Sequence, residues 1–276
     1  MTQTPTPSDP DPALQSRLAR LEGSAGARRH FRYFDFMMAG FVAILLLSNL
    51  IGAAKQAQLM VPGIGEVRFG AGVLFFPVSY ILGDVLTEVY GYANARRCIW
   101  AGFFALLFMV FMAVVVVAIP PTPEWALASN TYTVLGQQVT APNQAAYQSV
   151  FGQTPRIVLA SVVAFWAGEF VNSFVLARMK VLTQGRHLWT RTIGSTVFGE
   201  GVDSALFYPL AFWGAAGWST EAVVTLALTQ WVIKTTWEVV LTPVTYVVVG
   251  FLKRREGVEV FDTDTDFSPF AKVRAG

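Results

Sequence analysis

Long apolar runs separated by short polar islands constrain this chain more than any other feature. Six runs can be drawn, at roughly 34–53, 72–92, 99–119, 157–182, 192–216 and 222–252. Each has the length, about 20 residues, that carries an α-helix across roughly 30 Å of hydrocarbon. Charged residues are 14% of the 276, whereas a soluble domain carries about a quarter. The mean hydropathy is +0.48. The predicted fold class is therefore an all-α membrane protein with six transmembrane helices. Pro77, Pro209 and Pro243 fall inside the runs. Membrane helices tolerate such breaks where the freed carbonyls face protein or water.

Three regions follow. Residues 1–30 read as a flexible polar tail, since no short apolar core precedes a cleavage site there. Residues 31–256 form the six-helix domain, and residues 257–276 a C-terminal tail. A net charge of +2 gives no reason to expect a nucleic-acid partner; the expected partners are the bilayer and a small solute, with a homo-oligomer left open. Cys98 is the single cysteine, which excludes an internal disulfide framework and a cysteine metal cluster. No metal or cofactor is expected.

The basic residues set an orientation. Arg28, Arg29 and Arg32 precede the first run, Arg96 and Arg97 follow the second, and Arg178, Lys180, Arg186 and Arg191 surround the loop after the fourth. Lys253, Arg254 and Arg255 close the sixth, and no Lys or Arg lies between Arg97 and Arg156. Lys55 and Arg68 are the exceptions to this alternation. Positive charge stays on the cytoplasmic side, so both termini are expected there. The loop 120–155 is then external, with a short helix around Trp125. The loop 55–71, with its Pro62-Gly63-Ile64-Gly65 turn, is expected to form an external hairpin.

Short motifs recur between the halves. Ser48-Asn49 in the first run is echoed by Asn172-Ser173 in the fourth, and Gly83-Asp84 through Glu88 in the second by Gly199-Glu200 through Asp203 in the fifth. Three helices per unit would invert the second copy. Two inverted three-helix repeats are a common plan of secondary transporters, with the site near the midplane between them.

Acids inside apolar runs point to that site. Asp84, Glu88, Glu169, Glu200, Asp203 and Glu238 lie well inside, with Lys234 as their one cation. Each costs roughly 2.5–3.5 kcal/mol at the centre of a helix on insertion scales. Asp84 and Glu88 are four apart, with Tyr80 one turn earlier; Glu169 and Asn172 are three apart, as are Glu200 and Asp203; Lys234 and Glu238 are four apart. Each pair shares a helix face. The simplest packing aims all four stripes at one polar chamber, with Gly199 and Gly201 allowing close approach. Asn49, Tyr80 and Trp237 are expected beside it. The plainer reading of Lys234 and Glu238 is a structural pair within one helix, and that of Asn49 and Asn172 is hydrogen-bonded helix packing.

Four stretches on these stripes carry a family resemblance: FPVSYILGDVLTEVYGYANARRCIW (76–100), GEFVNSFVLARMK (168–180), RTIGSTVFGEGVDSALFYPLAFW (191–213) and KTTWEVVLTPVTYVVVGFLK (234–253). Together they resemble the queuosine precursor transporter family, also called the vitamin uptake transporter family, over roughly Phe34 to Glu256. The resemblance implies six-helix proteins of the bacterial inner membrane that import 7-cyano-7-deazaguanine and 7-aminomethyl-7-deazaguanine. It also implies that the charged motif residues are Asp84, Glu88, Glu169, Glu200, Asp203, Lys234 and Glu238. Such a base offers two adjacent donors, N1–H and the exocyclic amine, which a carboxylate accepts in parallel. Its carbonyl takes a donor, for which Lys234 and Asn172 are candidates, and its flat face suits an aromatic ring. A cationic aminomethyl group takes a further acid.

Two other classes compete. One is the substrate-binding subunit of an ATP-driven vitamin importer; the chain has no Gly-x4-Gly-Lys-Ser/Thr motif, so an ATPase would be a separate protein. The other is an intramembrane enzyme. Ile81-Leu82-Gly83-Asp84 lacks the first glycine of the Gly-x-Gly-Asp context of membrane aspartyl proteases, and His30 and His187, the only histidines, both sit near predicted helix ends.

Overall fold

The computed structural model describes residues 31–52, 55–63, 65–152, 155–263 and 265–271. The expected N-terminal tail, 1–30, lies outside the described residues. Helix α1 (Phe34–Leu47) ends in a π-helical turn, Ser48–Gly52. Strands β1 (Gln56–Val61) and β2 (Gly65–Gly70) pair antiparallel, Val61 opposite Gly65, as the expected hairpin. A 3-10 turn, Ala71–Leu74, leads to α2 (Phe76–Tyr90), and α3 (Tyr92–Ala118) follows at once. The long loop contains the expected short helix with Trp125, α4 (Pro123–Leu127). It also holds a second hairpin, β3 (Ser129–Val134) with β4 (Gln137–Pro142), and α5 (Asn143–Phe151). Three long helices complete the chain: α6 (Pro155–Leu182), α7 (Leu188–Phe212) and α8 (Thr220–Glu256).

Four stretches are long and apolar enough to cross a membrane by length and composition: Phe34–Gly52, Tyr92–Ala118, Asn143–Leu182 and Thr220–Glu256. They show lipid-like faces. Phe104, Phe108 and Phe111 of α3 are 61%, 66% and 62% exposed, far too much apolar surface for one face of a helix in water. The other two expected spans depart from the pattern for identifiable reasons. α2 has 15 residues, about 22 Å of helix, and it packs against α1, α3, α6 and α8. Its residues 83–90 are all buried, so protein surrounds it and its polar groups never meet lipid. α7 has 25 residues but carries Glu200 and Asp203 near its middle. Pro77 is the second residue of α2 and breaks nothing, because a first-turn N–H has no intrahelical partner. Pro209 and Pro243 do lie inside helices.

Two glycines set the closest helix crossing. A Cβ on Gly199 of α7 would lie 2.6 Å from the Cβ of Asn172 in α6 and 3.0 Å from the Gly168 carbonyl oxygen. One on Gly168 would lie 2.9 Å from the Cβ of Asp203. Small residues let the backbones touch, and that contact fixes the acids of α7 against α6. Gly199→Ala is therefore expected to push the two helices apart, lowering thermal stability and ligand binding together. An unchanged melting temperature would refute this account of the crossing. Gly201 meets only ordinary contact with Trp231, so the expected close approach belongs to Gly199 alone.

One end of the bundle gathers the basic segments. Glu256 at the end of α8 accepts from the backbone N–H of Arg32 (2.9 Å) and Tyr33 (2.8 Å) and from the Tyr90 hydroxyl (3.1 Å). The C-terminal segment docks here rather than trailing away. Asp262 accepts from the Tyr92 N–H at the start of α3, the favourable place for an anion on a helix dipole. Arg96 donates to the carbonyls of Asp266 and Ser268, and Trp100 Nε1 to that of Pro269.

Candidate functional site

The polar interior is arranged in three tiers, set one helical turn apart along α2 by Tyr80, Asp84 and Glu88. The first is a cavity of about 380 Å³ among α1, α2, α6, α7 and α8, within the size range of small-molecule sites. It reaches the hairpin end of the bundle at Gly70, Ser149 and Trp218. Its polar wall is Glu169 from α6, Glu200 and Asp203 from α7, and Lys234 from α8. Lys234 Nζ donates to Glu200 Oε2 (2.7 Å) and to Asp203 Oδ2 (2.6 Å). Lys234 is thus bound across helices, and the alternative pairing with Glu238 along α8 is not made. No ion pair of Glu169 is found among the described residues. Three carboxylates therefore face one ammonium, and the wall is acidic. Tyr80, Phe165, Phe207 and Tyr208 supply rings. Asn49 reaches the cavity because the π-helical turn swings it inward; its Oδ1 accepts from the Ser161 hydroxyl (2.8 Å) and its Nδ2 donates to the Leu45 carbonyl.

The second tier holds Asp84, Asn172 and Glu238, four, three and four residues beyond Tyr80, Glu169 and Lys234. All three are buried, Asp84 completely, and none lines the cavity. Asn172 Nδ2 donates to Asp84 Oδ1 (3.1 Å). The stripes do not all face the chamber along their whole length, because residues one turn apart along a helix that runs away from it differ in depth by about 5 Å.

The third tier centres on Glu88, which also lies outside the cavity. Its carboxylate takes a two-point contact from Arg191 (Nε 2.8 Å, Nη2 2.9 Å) and a bond from Lys253 Nζ (2.7 Å). Lys180 Nζ sits 3.3 Å from Glu88 Oε1 and donates to the Glu88 carbonyl (2.6 Å). Glu259, beyond α8, pairs with Lys253 (2.6 Å) and Lys180 (3.2 Å). Burial acts to raise the Glu259 carboxyl, but Lys253 and Lys180 outweigh it and hold it below the ordinary carboxylate range. Its contribution is therefore complete above the ordinary carboxylate value and is lost only in stronger acid. This cluster ties α2, α6, α7 and α8 together at the basic end.

Trp237, expected beside the chamber, is half-buried and lines no part of it. Trp231 packs against α7, its Nε1 donating to the Val197 carbonyl (2.9 Å). Sequence reasoning missed Gln230, buried on the cavity wall. The signal was present, since Gln230, Lys234 and Glu238 recur every four residues. It also treated Lys180, Arg191 and Lys253 as loop charges, although all three reach Glu88. Among the described residues, no group of three or more His, Cys, Asp or Glu could hold a metal ion.

Apolar helices with lipid-like faces around a solute-sized acidic cavity define a helical membrane protein of the small-solute-handling class. The comparisons with known proteins agree. The profile of the family described as "Putative vitamin uptake transporter" matches residues 70–248, and the chain belongs to that family. It is similar to the "Probable queuosine precursor transporter" of Bacillus subtilis, 28% identical over 180 residues, covering 65% of this chain and 68% of that protein. It is also similar to the "Queuosine precursor transporter" of Escherichia coli, 26% identical over 142 residues, covering 51% and 54%. The "Probable queuosine precursor transporter" of Haemophilus influenzae is 25% identical over 145 residues, covering 52% of each chain. The chain thus spans about half the length of the last two. No solved structure matches it.

Proposed function

We propose that this protein imports queuosine precursors, 7-cyano-7-deazaguanine and 7-aminomethyl-7-deazaguanine, across a bacterial inner membrane for salvage into transfer RNA. In this reading all six long helical segments cross the bilayer as two inverted three-helix units, with the basic end in the cytoplasm. The observation that carries it is the acidic cavity walled by Glu169, Glu200 and Asp203 and lined by aromatic rings. An excess of acceptors suits a flat base rich in N–H donors, and suits a cationic aminomethyl group better than any anion. Glu169 takes the adjacent N1–H and amine, Gln230 serves the carbonyl, and Tyr80, Phe207 or Tyr208 stacks on the ring. The substrate-binding role assigned to Asp84, Asn172 and Glu238 becomes indirect, acting from the tier beneath.

The test is uptake of each compound by liposomes holding this chain alone. Glu169→Gln is expected to weaken uptake roughly 10–100-fold, since a hydrogen bond to a charged group contributes about 1.5–3 kcal/mol. Uptake that stays normal in Glu169→Gln and in Asp203→Asn would reject the site. Orientation has its own test. Cysteines placed at Ser129 and Ser268, both exposed, are expected to differ, with only the first labelled by an impermeant thiol reagent on intact cells. The opposite pattern would invert the topology.

A further inference from the structure

The second tier contains buried acceptors with nothing to accept from. Asp84 Oδ2, Asn172 Oδ1 and both carboxylate oxygens of Glu238 are buried and make no hydrogen bond. Asp84 is 0% exposed, Glu238 1% and Asn172 9%. Asp84 and Glu238 repel each other across the α2–α8 contact. Two carboxylates without a counter-charge in such a place are among the most costly arrangements a protein can hold. The surroundings offer no relief. On α8, Lys234 lies one turn above and is engaged by Glu200 and Asp203. On α2, the Glu88 carboxylate is held by its own three cations one turn below. Glu169 on α6 and Glu200 on α7, the remaining charged groups that act on this tier, are acids that add to the repulsion.

We propose that Asp84, Asn172 and Glu238 bind a monovalent cation drawn from water, a proton or a sodium ion, beneath the solute cavity. The chemistry fits either. Three side chains offer four oxygens without partners, which suits a hard monovalent ion. A proton on Glu238 would equally turn an orphaned acceptor into a donor for an oxygen that lacks one. The site lies between the cavity and the Glu88 cluster on the same three helices. A cation there offsets the repulsion that would otherwise part α2 from α8, and that is how ion occupancy would reach the solute site. That coupling rests on the transporter reading; the binding site itself does not.

The test therefore uses no solute. Thermal unfolding of the purified full-length protein in detergent is compared in choline buffer at pH 8, in choline buffer at pH 5.5, and at pH 8 with sodium replacing choline. The wild type is expected to unfold roughly 3–6 °C lower in the first condition. Recovery by sodium assigns the site to that ion, and recovery by acid alone assigns it to a proton. The Asp84→Asn/Glu238→Gln protein, which carries no charge in this tier, is expected to melt alike in all three. Should it fail to fold, Glu238→Gln alone must still reduce the wild-type shift. A wild-type melting temperature indifferent to both cations overturns the proposal, and so does an undiminished shift in the variants. Uptake assays decide the transporter reading separately.

Discussion

Glu88→Ala is expected to lower the stability of the protein by about 3–5 kcal/mol, the usual cost of removing one partner from a buried ion pair. Glu88 is wholly buried, and Arg191 and Lys180 are 2% and 1% exposed in their side chains. Without the carboxylate, two buried cations and the half-screened Lys253 face each other, with Glu259 left to oppose them among the described residues. Because α2, α6, α7 and α8 meet at this point, the loss should appear as a lower melting temperature and poor recovery from membranes. Glu88→Gln keeps an acceptor for Arg191 and should fall between. If Glu88→Ala melts like the wild type, the cluster does not hold the basic end closed.

The second large effect is at Lys234. Lys234→Met removes the cation that holds Glu200 and Asp203, whose side chains are 13% and 20% exposed. Two acids then face each other across one helical turn beside Glu169, and the protein should lose both stability and solute binding. Adding Glu200→Gln and Asp203→Asn removes the repulsion. The triple variant is expected to regain its melting temperature but not its uptake, because the acceptors of the cavity remain weakened. Normal uptake in the triple variant would mean that Lys234, Glu200 and Asp203 serve folding alone.

Much of this arrangement was legible beforehand. Periodicity placed Asp84 with Glu88 and Glu200 with Asp203 on common faces, because side chains four or three apart along a helix must share one. The hairpin at 56–70 followed from its Pro-Gly turn, and the helix around Trp125 from its setting in a polar loop. Depth was not legible. Tyr80, Asp84 and Glu88 form one stripe in sequence, yet one borders the cavity, one lies beneath it and one joins the ion cluster. Periodicity gives the angle of a residue about its helix axis and says nothing of what stands opposite each turn. The strand pairing of 129–142 was missed because both strands are almost wholly exposed, so no buried face marks them as core strands.

The sequence by itself determined the membrane class, the long apolar segments, which loops carry the positive charge, and which residues are too costly to lie in lipid without a task. Those are properties of local composition, and they hold however the helices pack. Only the tertiary structure decided which charges neutralise which. Lys234 chose Glu200 and Asp203 on α7 over Glu238 on its own helix, and Arg191 left the loop to grip Glu88. Ion pairing depends on distances of a few ångströms between segments as much as 165 residues apart, as for Glu88 and Lys253. Those distances are set by where glycines such as Gly168 and Gly199 let two backbones meet, which no single helix encodes.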